Sequence, residues 1–172
     1  MAVTKKTCIV CFDDHRSFTD DIRKRFSDNT KYSIQAFSNR SEFIGYFIKD
    51  KENSSCKVAI IGVPDALEDY DVIGKLTLEI KKTDPRTGII LLVNAEKMEA
   101  LKKVVRTNID AYIPRNINAI LRIHNAVKRL ISEHYIITFR KRRNLALYAL
   151  LGFILLLVLV LVISYFKAPH YF

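Results

Sequence analysis

The sequence predicts an α/β fold, a doubly wound parallel sheet of five strands, followed by one C-terminal transmembrane helix. Two observations predict this arrangement. Five short apolar runs alternate with amphipathic helical patterns over roughly the first 139 residues. An uncharged apolar run of 22 residues then follows at positions 145–166. Alternating strands and helices form parallel sheets that are covered on both faces, through right-handed crossovers.

Each strand is predicted from a short, continuous apolar run, because strands buried on both faces of a parallel sheet have this composition. The predicted strands span residues 7–12, 32–37, 58–63, 89–93 and 110–113. Pro64 follows the third run and Pro114 follows the fifth, which marks both ends.

The helices are predicted from apolar residues that recur at helical spacing between these strands. They cover residues 15–27, a segment after an N-cap at Ser38 or Asn39, residues 72–82, residues 97–106 and the chain from Ile117 onward. Asn and Ser are favoured N-caps because their side chains accept from the free backbone N–H groups of the first turn.

Residues 145–166 are predicted to cross a membrane. A helix of this length measures about 33 Å, and the hydrocarbon core of a bilayer is about 30 Å thick. Tyr148, Tyr165 and Phe166 lie near its two ends, where aromatic rings favour the membrane interface.

The basic residues set the expected orientation. Arg140, Lys141, Arg142 and Arg143 precede the span, whereas the tail after it contains only Lys167. Because basic residues stay on the cytoplasmic side, we expect a single-pass membrane protein with a cytoplasmic N-terminal domain. The predicted organisation is a domain at 1–133, a juxtamembrane extension at 134–143, the transmembrane helix at 144–166 and a tail at 167–172.

The net charge points to membrane lipid and away from nucleic acid. The chain carries +10, and subtracting the four juxtamembrane cations and Lys167 leaves +5 on residues 1–139. That is mildly basic, and no arginine-rich or aromatic-interleaved stripe of the nucleic-acid-binding kind is present. We therefore expect anionic lipid as a partner and no nucleic acid.

The three cysteines predict no disulfide framework, since an odd number in a cytoplasmic chain argues against one. Cys8 and Cys11 have redox-motif spacing but lie within a predicted strand, where residues three apart point to opposite faces. No redox or zinc site is predicted from them.

Function in parallel sheets collects at the carboxyl ends of the strands. The residues at those ends are Asp13, Asp14, Gly62, Asn94 and Arg115. The chain shows neither a nucleophile–base pair nor a glycine-rich phosphate loop, so an enzyme is not expected.

With these residues in place, positions 5–133 resemble a response-regulator receiver domain. The acidic pair followed by His15 resembles the opening of that family, and residues 90–95 resemble its fourth strand. Residues 110–115 resemble its fifth strand, where a lysine is expected. The resemblance implies a flavodoxin- or CheY-like strand order 2-1-3-4-5 and a bacterial inner membrane.

The resemblance also implies a site, and this chain departs from it. In the family the acidic pair holds Mg²⁺, an aspartate at the third strand accepts a phosphoryl group, a lysine pairs with that group and a Thr or Ser reports it. Gly62 stands at the acceptor position and cannot be phosphorylated, Asn94 replaces the Thr or Ser, and Arg115 replaces the lysine. The chain is therefore interpreted as a pseudo-receiver.

Three alternatives remain open at this site. Asp65, on the loop after Gly62, could act as a substitute acceptor in a phosphorelay. Asp13 and Asp14 could retain residual Mg²⁺, although two carboxylates make a poor cage, and no other cofactor is expected. Arg115 could instead form a standing ion pair with one or both of these acids, because a fixed guanidinium relieves their repulsion.

The long last helix has two predicted parts. Residues 117–143 contain neither Gly nor Pro, and apolar spacing continues through Ile120, Ile123, Val127, Leu130, His134 and Ile137. The first part packs on the sheet. The continuation from His134 could pair with a partner helix, including a second copy in a homodimer.

The predicted function is that of a protein-binding module at a membrane. By resemblance the contact face includes Lys102, Tyr112 and Arg122, and the partner is a histidine kinase, another receiver or an envelope complex. The rival hypotheses are a phosphorelay regulator that uses Asp65 and a structural subunit of a membrane assembly.

Overall fold

The computed structural model describes residues 6–13, 16–28, 30–50, 55–64, 69–105 and 109–167. The chain divides into two compact units, Met1–Ser132 and Glu133–Phe172.

The first unit contains a five-stranded sheet in which every pair of neighbours is parallel. The strands are β1 (Thr7–Phe12), β2 (Tyr32–Phe37), β3 (Lys57–Gly62), β4 (Gly88–Val93) and β5 (Ala111–Pro114). Their order is β2-β1-β3-β4-β5. The predicted fold class and strand order are confirmed.

Helices alternate with these strands as predicted. They are α1 (Arg16–Arg25), α2 (Arg40–Lys49), α3 (Asp69–Thr83), α4 (Met98–Val104) and α5 (Ala119–Lys167). The Asn39 side chain accepts from the Ser41 backbone N–H at 2.8 Å and caps α2, which settles the choice between Ser38 and Asn39.

Several helix boundaries were predicted wrongly. The first helix ends at Arg25 and not at Ser27, and the third begins at Asp69 and not at Val72. The fourth helix is shorter than 97–106, because Lys97 belongs to a 3₁₀ turn (Ala95–Lys97) and Val105 is extended and buried. The last helix begins at Ala119 and not at Ile117, because the side chain of Asn116 first accepts from the Asn118 N–H at 3.1 Å in a local turn.

The last strand includes Pro114, which was predicted to stop it. Pro114 pairs with Val93, and β5 is an edge strand, where a residue without an N–H is tolerated. Asp110 precedes the strand, and its carboxylate accepts from the Ile89 N–H at 2.7 Å.

The core lies in two layers, one on each face of the sheet. Strands β3 and β4 are buried along their whole length. Cys8 belongs to the layer under α2, α3 and α4, whereas Cys11 belongs to the layer under α1 and α5. This confirms that the two thiols point to opposite faces.

Buried charges close the amino edge of the sheet, which the sequence did not predict. The side chain of Lys57 is fully buried, and its Nζ lies 3.2 Å from Asp50 Oδ2 and 3.3 Å from Asp84 Oδ2. Lys57 also donates to the backbone carbonyl of Asp50. Beside it, Lys81 Nζ donates to the Thr87 carbonyl at 2.7 Å and lies 3.4 Å from Asp110 Oδ2.

The second unit is the later part of α5. Its large apolar side chains between Leu145 and Ile163 are all exposed in the structure. Among the described residues, α5 is the one helix long and apolar enough to cross a membrane.

Candidate functional site

The carboxyl edge of the sheet brings together three of the five predicted site residues. Asp13 follows β1, Gly62 is the last residue of β3, and Arg115 follows β5. The register aligns these ends, since Phe12 pairs with Ile61 and Gly62 pairs with Leu92. Parallel strands that end in register therefore place the three residues at one site.

Asp13 and Arg115 form an ion pair across this edge. Arg115 Nη2 donates to Asp13 Oδ2 at 3.0 Å. The Asp13 side chain is 1% exposed and that of Arg115 is 29% exposed. Two strands, β3 and β4, separate β1 from β5, so only a long side chain can reach across. The hypothesis of a standing ion pair is confirmed for Asp13.

The backbone of Arg115 is held in place, which makes this reach reproducible. Its N–H donates to the Val93 carbonyl at 2.9 Å, extending the ladder between β4 and β5 by one residue. A guanidinium keeps its charge at all physiological pH values and presents a planar fork of donors. Arg115 therefore supplies a fixed positive charge beside the Asp13 carboxylate.

Gly62 leaves the space that this ion pair occupies. A Cβ built at Gly62 would lie 2.5 Å from Asp13 Cγ and 2.7 Å from Arg115 Nη2, and closer still to Asp13 Oδ2. None of the described glycines has a positive φ, so backbone conformation does not require glycine at this position. The close approach of the two side chains does require it.

Gly62 and the ion pair are thus one structural feature. Any side chain at position 62 would have to displace Asp13, whose carboxylate is buried, or the end of Arg115. Sequence reasoning identified Gly62 only as a missing acceptor. The sequence does contain a glycine at the end of β3 together with an arginine after β5, and this combination could have indicated that the glycine makes room for the arginine side chain.

The remaining predicted site residues are not part of this cluster as described. Asn94 follows β4 and begins the 3₁₀ turn, where its carbonyl accepts from the Lys97 N–H at 3.0 Å. Its side chain makes no capping hydrogen bond there. Asp14, which belongs to the predicted Mg²⁺ pair, and Asp65, the substitute acceptor, both lie outside the described residues.

Metal binding gains no support from the geometry that can be described. Across residues 6–13, 16–28, 30–50, 55–64, 69–105 and 109–167, no three His, Cys, Asp or Glu side chains are grouped in a way that could hold a metal ion. Asp13, the described member of the acidic pair, is engaged with Arg115.

A polar cleft of about 440 Å³ adjoins the ion pair. Its lining residues come from the ends of β1 and β2 and from α1, and they are Asp13, Thr19, Asp20, Arg23, Ala36, Phe37 and Ser38. Arg23 Nη1 and Asp20 Oδ1 lie 3.5 Å apart within it. Sequence reasoning missed this cleft, because its lining is assembled from three separate segments.

The predicted contact face is brought together in part. Lys102 Nζ lies 5.8 Å from the centre of the Tyr112 ring and 2.7 Å from Glu99 Oε1. Burial raises the pKa of the Tyr112 hydroxyl, and the charge of Lys102 partly offsets this. Arg122 is exposed on α5, and no contact between its side chain and the other two residues is described.

The cysteines are buried thiols and form no disulfide. Burial raises the pKa of both Cys11 and Cys56 to about 12. Burial also raises the pKa of Cys8, whose Sγ lies 2.9 Å from the Tyr46 hydroxyl. Because the thiolate is the reactive form, these thiols are unreactive at neutral pH while the domain is folded.

No family model matches the sequence, and no curated protein is similar to it at a significant level. Solved structures, in contrast, share its fold. The signal receiver domain of an HD domain-containing protein from Pseudomonas fluorescens Pf-5 is 12% identical with a TM-score of 0.60, and the match covers 81% of this chain and 96% of that domain. A response regulator receiver domain protein from Clostridium thermocellum is 17% identical with a TM-score of 0.60, and the match covers 77% and 98%.

A third similar structure comes from a family of streptococcal redox sensors that evolved from two-component response regulators. It is 12% identical with a TM-score of 0.62, and the match covers 78% of this chain but only 55% of that longer one. At these identities the likeness establishes the fold. The predicted resemblance to receiver domains is therefore confirmed at that level.

Proposed function

We propose that this chain is a membrane-anchored pseudo-receiver, which carries no aspartyl phosphate and acts by binding other proteins. The receiver fold supports a role in signalling of the response-regulator kind. The single observation that carries the proposal is the Asp13–Arg115 ion pair, packed where a side chain at Gly62 would project.

The physical argument concerns the state of the site. In a phosphorylated receiver, a phosphoryl group and Mg²⁺ supply the charges that select one arrangement of the site. Here an internal cation and an internal carboxylate take up those charges without a ligand. A site satisfied in this way stays in one arrangement, so the chain presents a constant binding surface.

The direct test is labelling by a small phosphodonor in the presence of Mg²⁺, using the full chain in mild detergent. The unaltered protein is expected to take up no hydroxylamine-sensitive phosphate. Gly62→Asp alone is expected to remain inert, because Arg115 and Asp13 occupy the space of the new side chain. Gly62→Asp combined with Arg115→Lys restores the acceptor and the lysine of an active receiver, while Asn94 still stands at the Thr or Ser position, and this variant is expected to gain label.

The outcomes separate the rival hypotheses. Label on the unaltered chain that disappears in Asp65→Asn would establish a phosphorelay with a substitute acid and overturn the proposal. Gly74→Asp is the matched control for Gly62→Asp, because it also adds an aspartate in place of a glycine. This α3 position has open space around it and lies outside the site, so the control should gain no label.

Protein partners are proposed for the face that contains Lys102, Tyr112 and Arg122. The cation–ring contact between Lys102 and Tyr112 supports an ordered surface there. The expected partners are a histidine kinase, another receiver or an envelope complex. Extracting native membranes in mild detergent and identifying the proteins that co-purify tests whether any of them binds. Lys102→Ala with Tyr112→Ala should lose them, whereas Lys24→Ala, an exposed change on α1, should retain them.

The membrane anchor is proposed from the length and apolar character of α5 and from Arg140, Lys141, Arg142 and Arg143 beside it. Accessibility of added cysteines to a membrane-impermeant reagent would test the orientation. Replacing residues 145–166 by an unrelated apolar sequence separates an anchor from a structural subunit. Partner binding that survives the replacement favours an anchor, and its loss favours the subunit.

A further inference from the structure

One face of α5 in the second unit combines aromatic and aliphatic side chains with arginines. Tyr135, Ile136, Phe139, Arg140 and Arg143 line a single groove of about 560 Å³. Their spacing places them on the same side of the helix, since residues three and four apart are neighbours there. All five are exposed, and Phe139 is 74% exposed.

We propose that this face is a binding site for the headgroups of anionic phospholipids, with Arg140 and Arg143 on the phosphates. The inference rests on the proposed membrane anchor and deepens it, because it assigns the anionic lipid expected from the net charge to one face of α5 and to two arginines. The two arginines come directly before the apolar span, so their depth is defined by the span itself.

The depth of these residues follows from helix geometry. A bilayer has a headgroup layer of about 5–7 Å on each side of its hydrocarbon core. At about 1.5 Å per residue, that layer corresponds to four or five residues before position 145. Arg143 and Arg140 fall within it, Phe139 lies at its outer rim, and Tyr135 and Ile136 lie beyond it on the aqueous side.

Charge and donor geometry favour an anionic lipid over other occupants. A guanidinium binds a phosphate through two parallel hydrogen bonds, and anionic headgroups lack the cation that neutralises a zwitterionic one. A second copy of this helix on the same face would bring Arg140 and Arg143 against their own counterparts, and like charges across an interface are unfavourable.

The absence of tryptophan from the sequence permits a sensitive experiment. Phe139→Trp in the full chain places one fluorophore on the face. The protein is reconstituted in equimolar phosphatidylcholine and phosphatidylglycerol, with bromine, a short-range quencher, at the headgroup end of the acyl chains of one lipid or the other. Brominated phosphatidylglycerol is expected to quench more strongly.

The preference should depend on the two arginines. In the Phe139→Trp background, Arg140→Gln with Arg143→Gln is expected to lower the ratio of the two quenching constants by about fivefold. Lys75→Gln with Lys82→Gln removes the same charge from exposed positions on α3 and should leave the ratio unchanged.

Equal quenching by the two brominated lipids in the Phe139→Trp protein would overturn the inference. A second reporter, Leu155→Trp, lies within the span and separates this failure from failure of the anchor. If Leu155→Trp is quenched by both lipids, the anchor stands and only the anionic-lipid site falls. Cross-linking of two copies through Phe139→Cys, without a lipid preference, would assign the face to a homodimer and also overturn the inference.

Discussion

The two edges of the sheet both bury charge, but they do so with different consequences. At the amino edge, the fully buried Lys57 ammonium lies between Asp50 and Asp84. At the carboxyl edge, the buried Asp13 carboxylate meets an Arg115 guanidinium that is 29% exposed. In the first cluster the cation is shielded and its two carboxylate partners are 23% and 17% exposed, whereas in the second the carboxylate is shielded and the cation reaches solvent beside a cleft.

The chain segments that the two clusters join also differ. Lys57 begins β3, and its partners lie in the connections on either side, after α2 and after α3. Asp13 and Arg115 are 102 residues apart and lie across two intervening strands. The amino-edge cluster therefore fastens neighbouring turns, and the carboxyl-edge pair fixes the site. A buried ion pair therefore indicates a functional site only when it lies where such sites occur, at the carboxyl ends of the strands, and when solvent can reach it.

The largest expected change in the free energy of unfolding follows from removing the cation at the amino edge. Lys57→Met would leave the partly buried carboxylates of Asp50 and Asp84 close together without their ammonium partner, which should destabilise the chain by about 3 kcal/mol. Urea unfolding of the full chain in mild detergent, followed by tyrosine fluorescence, measures this. Lys82→Met, an exposed change on α3, should stay within about 0.5 kcal/mol, and equal effects of the two would contradict the comparison.

A smaller effect is expected at the carboxyl edge, because Arg115, unlike the fully buried Lys57, reaches solvent. Arg115→Ala should cost about 2 kcal/mol, and Asp13→Asn should cost less, since the amide needs no counter-charge. The double variant should fall short of the sum by about 1–2 kcal/mol. Additive losses in the same urea assay would show that the two side chains act independently.

Gly62→Ala tests the packing of the ion pair and not its charge. The new methyl group overlaps Asp13 and Arg115, so a cost of about 1–3 kcal/mol is expected. In an Arg115→Ala background the cost should shrink, because Asp13 can then rotate away. Gly74→Ala, with open space inside α3, is the matched control and should stabilise by about 0.5–1 kcal/mol.

The smallest expected effects are changes in the rate at which a buried thiol near each edge of the sheet is labelled. Cys11 lies near the carboxyl edge and Cys56 directly before Lys57, and each thiol has its pKa raised by burial to about 12. Alkylation at pH 8 should therefore be slow in the unaltered chain and should quicken as pH rises towards that pKa, because the thiolate fraction grows. Mass spectrometry of the labelled chain measures each site separately.

The two edges should respond separately in that assay. Arg115→Ala is expected to speed labelling of Cys11 and leave Cys56 unchanged, whereas Lys57→Met should do the reverse. Equal acceleration of both thiols by either variant would mean that the edges open together in one global unfolding event.

Much of the fold could be read from local pattern. The bounds of β2 are those predicted, residues 32–37, and the N-cap at Asn39 follows from its side-chain chemistry. Apolar runs specify buried strands because every residue of β3 and β4 lies against helices on one face or the other. Where the prediction failed, at Ile117 and Val105, a local turn or a tertiary contact competed with helical spacing.

The candidate site could be predicted in its membership but not in its packing. Asp13, Gly62 and Arg115 were expected to meet because the carboxyl ends of parallel strands share one edge. That Arg115 reaches Asp13, and that the space at Gly62 accommodates this contact, depends on distances across two intervening strands that no local pattern encodes.

By itself, then, the sequence determined the alternation of elements, the sheet order through resemblance, the apolar span and the chemistry available at each strand end. The tertiary structure decided which charged side chains are buried and which residues they pair with. Lys57 illustrates the reason, since a lysine at the start of a strand has the same sequence signature whether it meets water or two carboxylates. Burial and pairing are set by segments distant in the chain, so they exist only once the sheet has formed.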